Sequence, residues 1–167
     1  RLSQSFLTVA DNETELGTGG LEWEDRLPDG STRSTGATTS FELSNSIVTG
    51  NDGYGVGYTT QLDQATTVAV TYTDAYGNGS GNYEAPLIDP TDTNGNISED
   101  PELDALFRPL ICGPMVDQGD PTIAATTEEQ PNGGRVNLGH LGNTASATRT
   151  FPDVTGDGTV DGRDIAS

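Results

Sequence analysis

The sequence predicts an all-β fold, and three observations lead there. Gly, Asn, Asp, Thr and Ser abound, while only 31% of the 167 residues are hydrophobic and 6% aromatic. Such a mixture suits short strands and tight turns around a thin core, because Gly and Asn supply positive φ values while Thr and Val favour strands. Helical periodicity is nearly absent; the one helix-compatible run of note is the acid-capped SEDPELDALF, Ser98 to Phe107. Short extended runs recur instead, each ending in Asn or Asp with Gly nearby.

Taken in order, the first strand segment runs from Gln4 to Asn12, and a shorter extended piece follows from Gly19 to Glu24. The second unit repeats this with Thr39 to Asp52 and Gly53 to Thr60, and the third with Thr66 to Asn78 and Gly79 to Pro86. The unit is strand, Asn/Gly corner, strand. Aligning Phe6 with Ile47 gives a step of 41 residues and Ile47 with Thr71 a step of 24, the excess lying in the polar insert Asp25 to Thr39. Units of about 20 to 30 residues fit the stacked coils of a β-solenoid, with insertions falling in loops. An antiparallel sandwich fits the same degenerate repeat equally well.

From Pro86 onward the pattern changes to turns. GNISEDPEL (Gly95 to Leu103), PMVDQGDP (Pro114 to Pro121) and NGGRVNLGHLGNTASA (Asn132 to Ala147) follow one another in that order. Together with SNSIVTGNDGYGVGY (Ser44 to Tyr58) and VTYTDAYGNGSGNY (Val70 to Tyr83), they resemble the terminal coils and closing turns of secreted right-handed parallel β-helix proteins of the pectate-lyase-like superfamily. The resemblance covers about Thr39 to Ser167. It implies a right-handed parallel β-helix (solenoid) of few coils with a turn-rich C-terminal closure over residues 1–150, and a dockerin-type calcium repeat over 151–167.

DVTGDGTVDGRD, Asp153 to Asp164, carries the strongest motif. Asp153, Thr155, Asp157, Thr159, Asp161 and Asp164 occupy positions 1, 3, 5, 7, 9 and 12 of an EF-hand-like loop, with Gly158 at the sharp turn. Those positions wrap six to eight oxygens round Ca²⁺, position 7 through its backbone carbonyl. Val160 stands at position 8, where an apolar residue turned toward the core is expected. Thr155 is a neutral donor where Asp or Asn is usual, and Asp164 replaces the usual Glu with a shorter reach. A dockerin carries two such loops and binds cohesin through its helices; here one loop is followed only by GRDIAS, which argues against cohesin binding and reads as a truncated or continuing tail. The loop is expected to staple the C-terminal end of the body.

The formal charge is −19, and all seven basic residues are arginines. So acidic a surface repels nucleic acid and anionic membranes, and it suits a calcium-rich exterior or a high-salt milieu. No stretch approaches the ~20 apolar residues of a membrane span. The chain opens at Arg1 without Met, as a processed product does, and Asn12, Asn78 and Asn96 begin glycosylation sequons that operate if the chain is exported. A secreted or cell-surface location is therefore expected.

Catalytic candidates are meagre, and none is assigned. His140 is the single histidine and Cys112 the single cysteine, so an internal disulfide is excluded; Cys112 reads as a buried small hydrophobe or a point for joining chains. Asp74, Asp117 and Asp120 offer an acid/base pair or a second cation site, but Asp in such contexts more commonly caps turns. Tyr54, Tyr58, Tyr72, Tyr76 and Tyr83 offer sugar stacking or half-buried strand packing. The expected partners are polysaccharide, or other copies of the chain through open solenoid ends. A non-catalytic extracellular β-helix segment associated with polysaccharide is the leading expectation, with a filament or surface-layer subunit as the alternative. If it is an enzyme, polysaccharide lyase or glycoside hydrolase is expected.

Overall fold

A computed structural model describes residues 2–13, 18–25, 38–60 and 65–150. Among them it is all-β and without helices: β1 (Leu2–Ser5), β2 (Thr8–Ala10), β3 (Thr18–Asp25), β4 (Thr38–Thr49), β5 (Tyr54–Thr60), β6 (Ala65–Tyr76) and β7 (Gly81–Tyr83). The Val- and Thr-rich runs of the sequence form β2, β4 and β6, which stop at Asp11, Gly50 and Gly77.

All pairing between strands is parallel. In one sheet β4 is flanked by β1 and β2 on one side and by β6 on the other; in the second, β5 lies between β3 and β7. The chain passes from the first sheet to the second and back, so β1/β2 with β3, β4 with β5, and β6 with β7 form three successive levels. The antiparallel sandwich is thereby excluded for these strands.

The register corrects both sequence alignments. Thr8, not Phe6, pairs with Ile47, and Asp74, not Thr71, pairs with Ile47. The true steps are 39 residues from Asn12 to Asn51 and 27 from Asn51 to Asn78. Apolar matching failed because the inward face changes parity within each long strand. Phe6, Asn45 and Tyr72 occupy equivalent positions in left-handed conformation, with φ of 54°, 50° and 45°. Before this kink Phe41 and Leu43 face the core between the sheets; after it Val48 does, while Ile47 faces outward into a second cluster. Gly95 continues the column at φ 75°, and a Cβ there would stand 2.3 Å from the Tyr72 ring. Only glycine fits beneath that ring.

A second left-handed column ends the strands of the first sheet: Asp11, Gly50 and Gly77, at φ 54°, 65° and 64°. Each is followed directly by an asparagine, Asn12, Asn51 and Asn78, at the corner leading to the second sheet.

The inter-sheet core contains Trp23, Phe41, Leu43, Val48, Val56 and Val70, with Leu7, Val9, Leu21, Tyr58, Val68 and Tyr83 packed against it. Trp23 stacks on Phe41 with centroids 5.5 Å apart and planes 14° from parallel. Full burial of one such side chain contributes about 1.5–3 kcal/mol, so this small set is the main apolar support of the levels.

After β7 the described chain runs through turns to Thr150, broken only by a parallel bridge from Ile97 to Asp74 and an antiparallel one between Leu103 and Pro109. The closure folds back over the outer face of β4, where Met115 and Leu138 bury Ile47. The Ser98–Phe107 run is not helical. Asp100 Oδ1 accepts the Glu102 N–H at 3.1 Å, and Asp104 Oδ1 accepts those of Leu106 at 2.8 Å and Arg108 at 3.0 Å. These Asx-type bonds, with Pro101 lacking a donor, hold the backbone in turns.

Candidate functional site

The calcium-loop residues Asp153, Thr155, Asp157, Thr159, Asp161 and Asp164 lie outside the described residues. Among the described residues no group of three or more His, Cys, Asp or Glu side chains is placed to hold a metal ion. The calcium reading therefore rests on the donor set of Asp153 to Asp164: five positions with side-chain oxygen and one backbone carbonyl, the hard-oxygen chemistry that Ca²⁺ takes.

The asparagine corner repeats from level to level. Asn12 Nδ2 donates to Asn51 Oδ1 at 2.7 Å, and Asn51 Nδ2 donates to Asn78 Oδ1 at 2.7 Å. Each acceptor oxygen also takes the backbone N–H of the asparagine one level before, at 3.2 Å in both cases. At the third level Asn82 substitutes for a further rung: its Oδ1 accepts from Asn78 Nδ2 at 3.1 Å, and its own Nδ2 donates to Ser98 Oγ at 3.1 Å. Spare protons bind main-chain oxygens, Asn51 Nδ2 to Val9 and Asn78 Nδ2 to Val48. The ladder satisfies corner amides that a parallel sheet leaves unpaired where its strands end.

The three sequon asparagines consequently differ. Asn12 is exposed at the start of the ladder, whereas Asn78 is 8% and Asn96 2% exposed. Asn96 Oδ1 accepts the Thr73 N–H at 3.1 Å, and its Nδ2 donates to Val70 O at 2.7 Å.

The acidic candidates each have their own hydrogen-bond partners. Asp74 lies on the outer face of β6, fully buried, with Oδ1 accepting the Glu99 N–H at 3.0 Å and Oδ2 without a partner among the described residues. Burial pushes its carboxyl up to about 7, the Glu99 N–H opposing and the Glu99 and Asp100 charges adding. Asp117 accepts Thr150 Oγ1 at 2.7 Å, and burial raises it against the pull of Thr150 and Arg135. Asp120 Oδ1 accepts from Thr122 N and Oγ1, both at 2.8 Å, as a turn cap. His140 is exposed, with Nδ1 3.1 Å from Thr8 Oγ1. Tyr58 and Tyr83 pack on the inter-sheet core, and Tyr72 packs on the outer cluster.

Sequence reading missed the polar network of the closure. Glu128, 5% exposed, accepts the N–H groups of Asn137 at 3.0 Å and Asn143 at 2.7 Å through Oε1, and burial raises its carboxyl. Asn137 Oδ1 takes the Asp117 N–H at 2.8 Å, and Asn45 Oδ1 takes that of Asp120 at 2.7 Å. Arg135 donates to the carbonyls of Gly119 and Gln118 while its guanidinium lies 5.7 Å from the Tyr72 ring centroid. One arginine thus ties two closing turns to the kink of β6.

Beside this network lies a cleft of about 470 Å³ lined by Asp104, Arg108, Leu110, Ile111, Thr148 and Arg149 among others. Arg108 pairs with Asp104 at 2.7 Å, and Arg149 pairs with Glu129. The Arg108 bonds hold Asp104 down to about 2. Cys112 is exposed, not buried as one sequence reading had it, with Sγ 3.6 Å from Thr150 O. A smaller recess of about 290 Å³ is lined by Asp11, Tyr76, Asp100, Asp104 and Phe107 among others. Compared with known proteins, the chain matches no family model, no curated protein and no solved structure.

Proposed function

We propose that this chain is an extracellular, calcium-binding segment of a right-handed parallel β-helix protein that associates with polysaccharide. The observation that carries the reading is the level-to-level stacking of parallel strands through Asn12, Asn51 and Asn78. It supports a coiled body of the kind the pectate-lyase-like resemblance implies. Asp153, Thr155, Asp157, Asp161 and Asp164 would hold Ca²⁺ with the Thr159 carbonyl, and the bound ion would neutralise carboxylates and order the loop. The acidic composition and the exposed sequon at Asn12 agree with export. Asp74, Asp117 and Asp120 are separately engaged, which favours a binding or scaffolding role over hydrolysis or elimination at these groups.

A second reading, a subunit of an extracellular filament or surface layer, is favoured by one observation. Among the described residues β1, β2 and β3 each have a partner strand on one side only, and a parallel edge of this kind accepts a further strand. Negative-stain electron microscopy combined with oligosaccharide binding separates the two. Monomeric particles that retain oligosaccharide support the first reading; ordered fibres without glycan affinity support the second and overturn the first.

A further inference from the structure

Three asparagines of the chain are followed directly by glycine: Asn78, Asn94 and Asn132. Such a pair is open to self-reaction, because glycine has no side chain to keep its nitrogen away from the preceding carboxamide. The fold treats the three pairs differently. Asn78 is 8% exposed, with Oδ1 taking two donors from Asn51 and Nδ2 given to Val48 O at 3.1 Å. Asn132 is 5% exposed; its Nδ2 donates to the carbonyls of Ala125 at 2.7 Å and Glu128 at 3.1 Å, and its Oδ1 accepts the Gly134 N–H at 3.1 Å. Asn94 and Gly95 are both exposed, and neither the Asn94 carboxamide nor the Gly95 N–H has a hydrogen-bond partner among the described residues. They are the two central residues of a type I′ turn, with φ of 51° and 75° and the Asn96 N–H donating to Thr93 O at 2.9 Å.

We propose that Asn94–Gly95 is a site of spontaneous covalent modification, where the carboxamide is converted through a succinimide to aspartyl and isoaspartyl forms. The Gly95 nitrogen, giving its proton to solvent base, attacks Asn94 Cγ; the adduct expels the side-chain nitrogen as ammonia and closes a five-membered imide. Water then opens the ring. Attack at Cγ leaves aspartate, and attack at the main-chain carbonyl carbon leaves the backbone running through Cβ and Cγ, one methylene longer. One water replaces one ammonia, and nothing is oxidised or reduced. The position gives this change a structural consequence. Asn94 O accepts the Tyr72 N–H at 3.0 Å, and Gly95 lies under the Tyr72 ring with no room for a Cβ. A lengthened backbone here displaces the contacts that hold the kink of β6, and with them the ring beside the Arg135 guanidinium.

Peptide mapping by mass spectrometry after incubation of the full chain at mildly alkaline pH tests the site, with isoaspartyl methyltransferase labelling to separate the two products. Asn94 is expected to gain the mass of amide-to-acid conversion roughly tenfold or more faster than Asn78 and Asn132, whose buried bonds must open first. In concentrated urea the three are expected to convert at similar rates. A folded chain in which Asn94 stays intact, or in which Asn78 or Asn132 keeps pace with it, overturns the assignment. Unequal rates that persist in urea trace the difference to local sequence and overturn the structural account. The isoaspartyl fraction, isolated by anion exchange, is expected to unfold at lower urea than the parent. Asn94→Asp, with the same added charge on an ordinary backbone, is expected to unfold with the parent. An isoaspartyl fraction that also unfolds with the parent overturns the consequence for the kink.

Discussion

The side chains of Asn51 and Asn78 join two levels of the fold, with Asn51 Nδ2 donating to Asn78 Oδ1 at 2.7 Å while the Asn51 backbone N–H reaches the same oxygen at 3.2 Å. Asn51 is 1% exposed, and its bonds to Asn78 are shielded from water. Removing the carboxamide takes this partner from the Asn12 N–H and side chain and from the Val9 carbonyl, and leaves Asn78 Oδ1 with the backbone N–H of residue 51 in place of two donors. Asn51→Ala is expected to destabilise the chain by about 2–4 kcal/mol, at the cost of about 1–3 kcal/mol per buried group left unpaired. Urea melts check this. A change below about 0.5 kcal/mol would remove the ladder as a structural element.

Arg135 fastens the closure to the kink at Tyr72. Arg135→Lys keeps the charge but not the planar fork that reaches both the Gly119 and Gln118 carbonyls. Both Arg135→Lys and Arg135→Ala are expected to lower stability, the alanine variant by about 2 kcal/mol. Amide exchange in Gly113–Gly142 should accelerate more than in β4 and β6. Uniform acceleration through all strands would show that the closure does not open separately.

Asp74 makes stability fall as pH rises. The unfolded carboxyl titrates near its ordinary 3.8 and the folded one near 7. Between those values the folded chain holds the extra proton, so each step upward in pH favours unfolding. The loss is complete above about 7. Asp74→Asn keeps an acceptor for the Glu99 N–H and carries no charge. It is expected to match the parent near pH 4 and exceed it above pH 7 by about 4 kcal/mol, since each tenfold difference in proton affinity between the folded and unfolded chain is worth about 1.4 kcal/mol. Equal melting curves at pH 8 would contradict the burial of an ionisable Asp74.

Glycan occupancy should follow burial. In a secretory host, the folded product is expected to carry sugar at Asn12 and none at Asn78 or Asn96, whose amide nitrogens point into buried main-chain contacts. Peptide mapping by mass spectrometry reads this directly. A fully occupied Asn96 in natively folded protein would contradict the corner geometry.

The strands and corners were legible because β-branched runs ending in Asn/Gly are local signals, and each expected segment overlaps an observed strand. The register was not, since matching Phe6, Ile47 and Thr71 assumes one unbroken alternation, and the left-handed residues at Phe6, Asn45 and Tyr72 break it. Matching the DN and GN pairs at Asn12, Asn51 and Asn78 would have found it. The closure was recognisable as turns, but its contacts were not: Asp120 meets Asn45 across 75 residues and His140 meets Thr8 across 132. The Ser98–Phe107 run misled because its acids serve turns as readily as helix starts.

An exported coil body stapled by a calcium loop is the central claim, and a melt with and without chelator tests it most directly. A ligand bound only by the folded chain must raise its melting temperature by mass action. The full chain is expected to melt higher in millimolar Ca²⁺ than in EDTA, and Asp157→Ala is expected to melt at the EDTA temperature in both. Identical melting temperatures for the parent chain with and without Ca²⁺ would contradict the calcium staple.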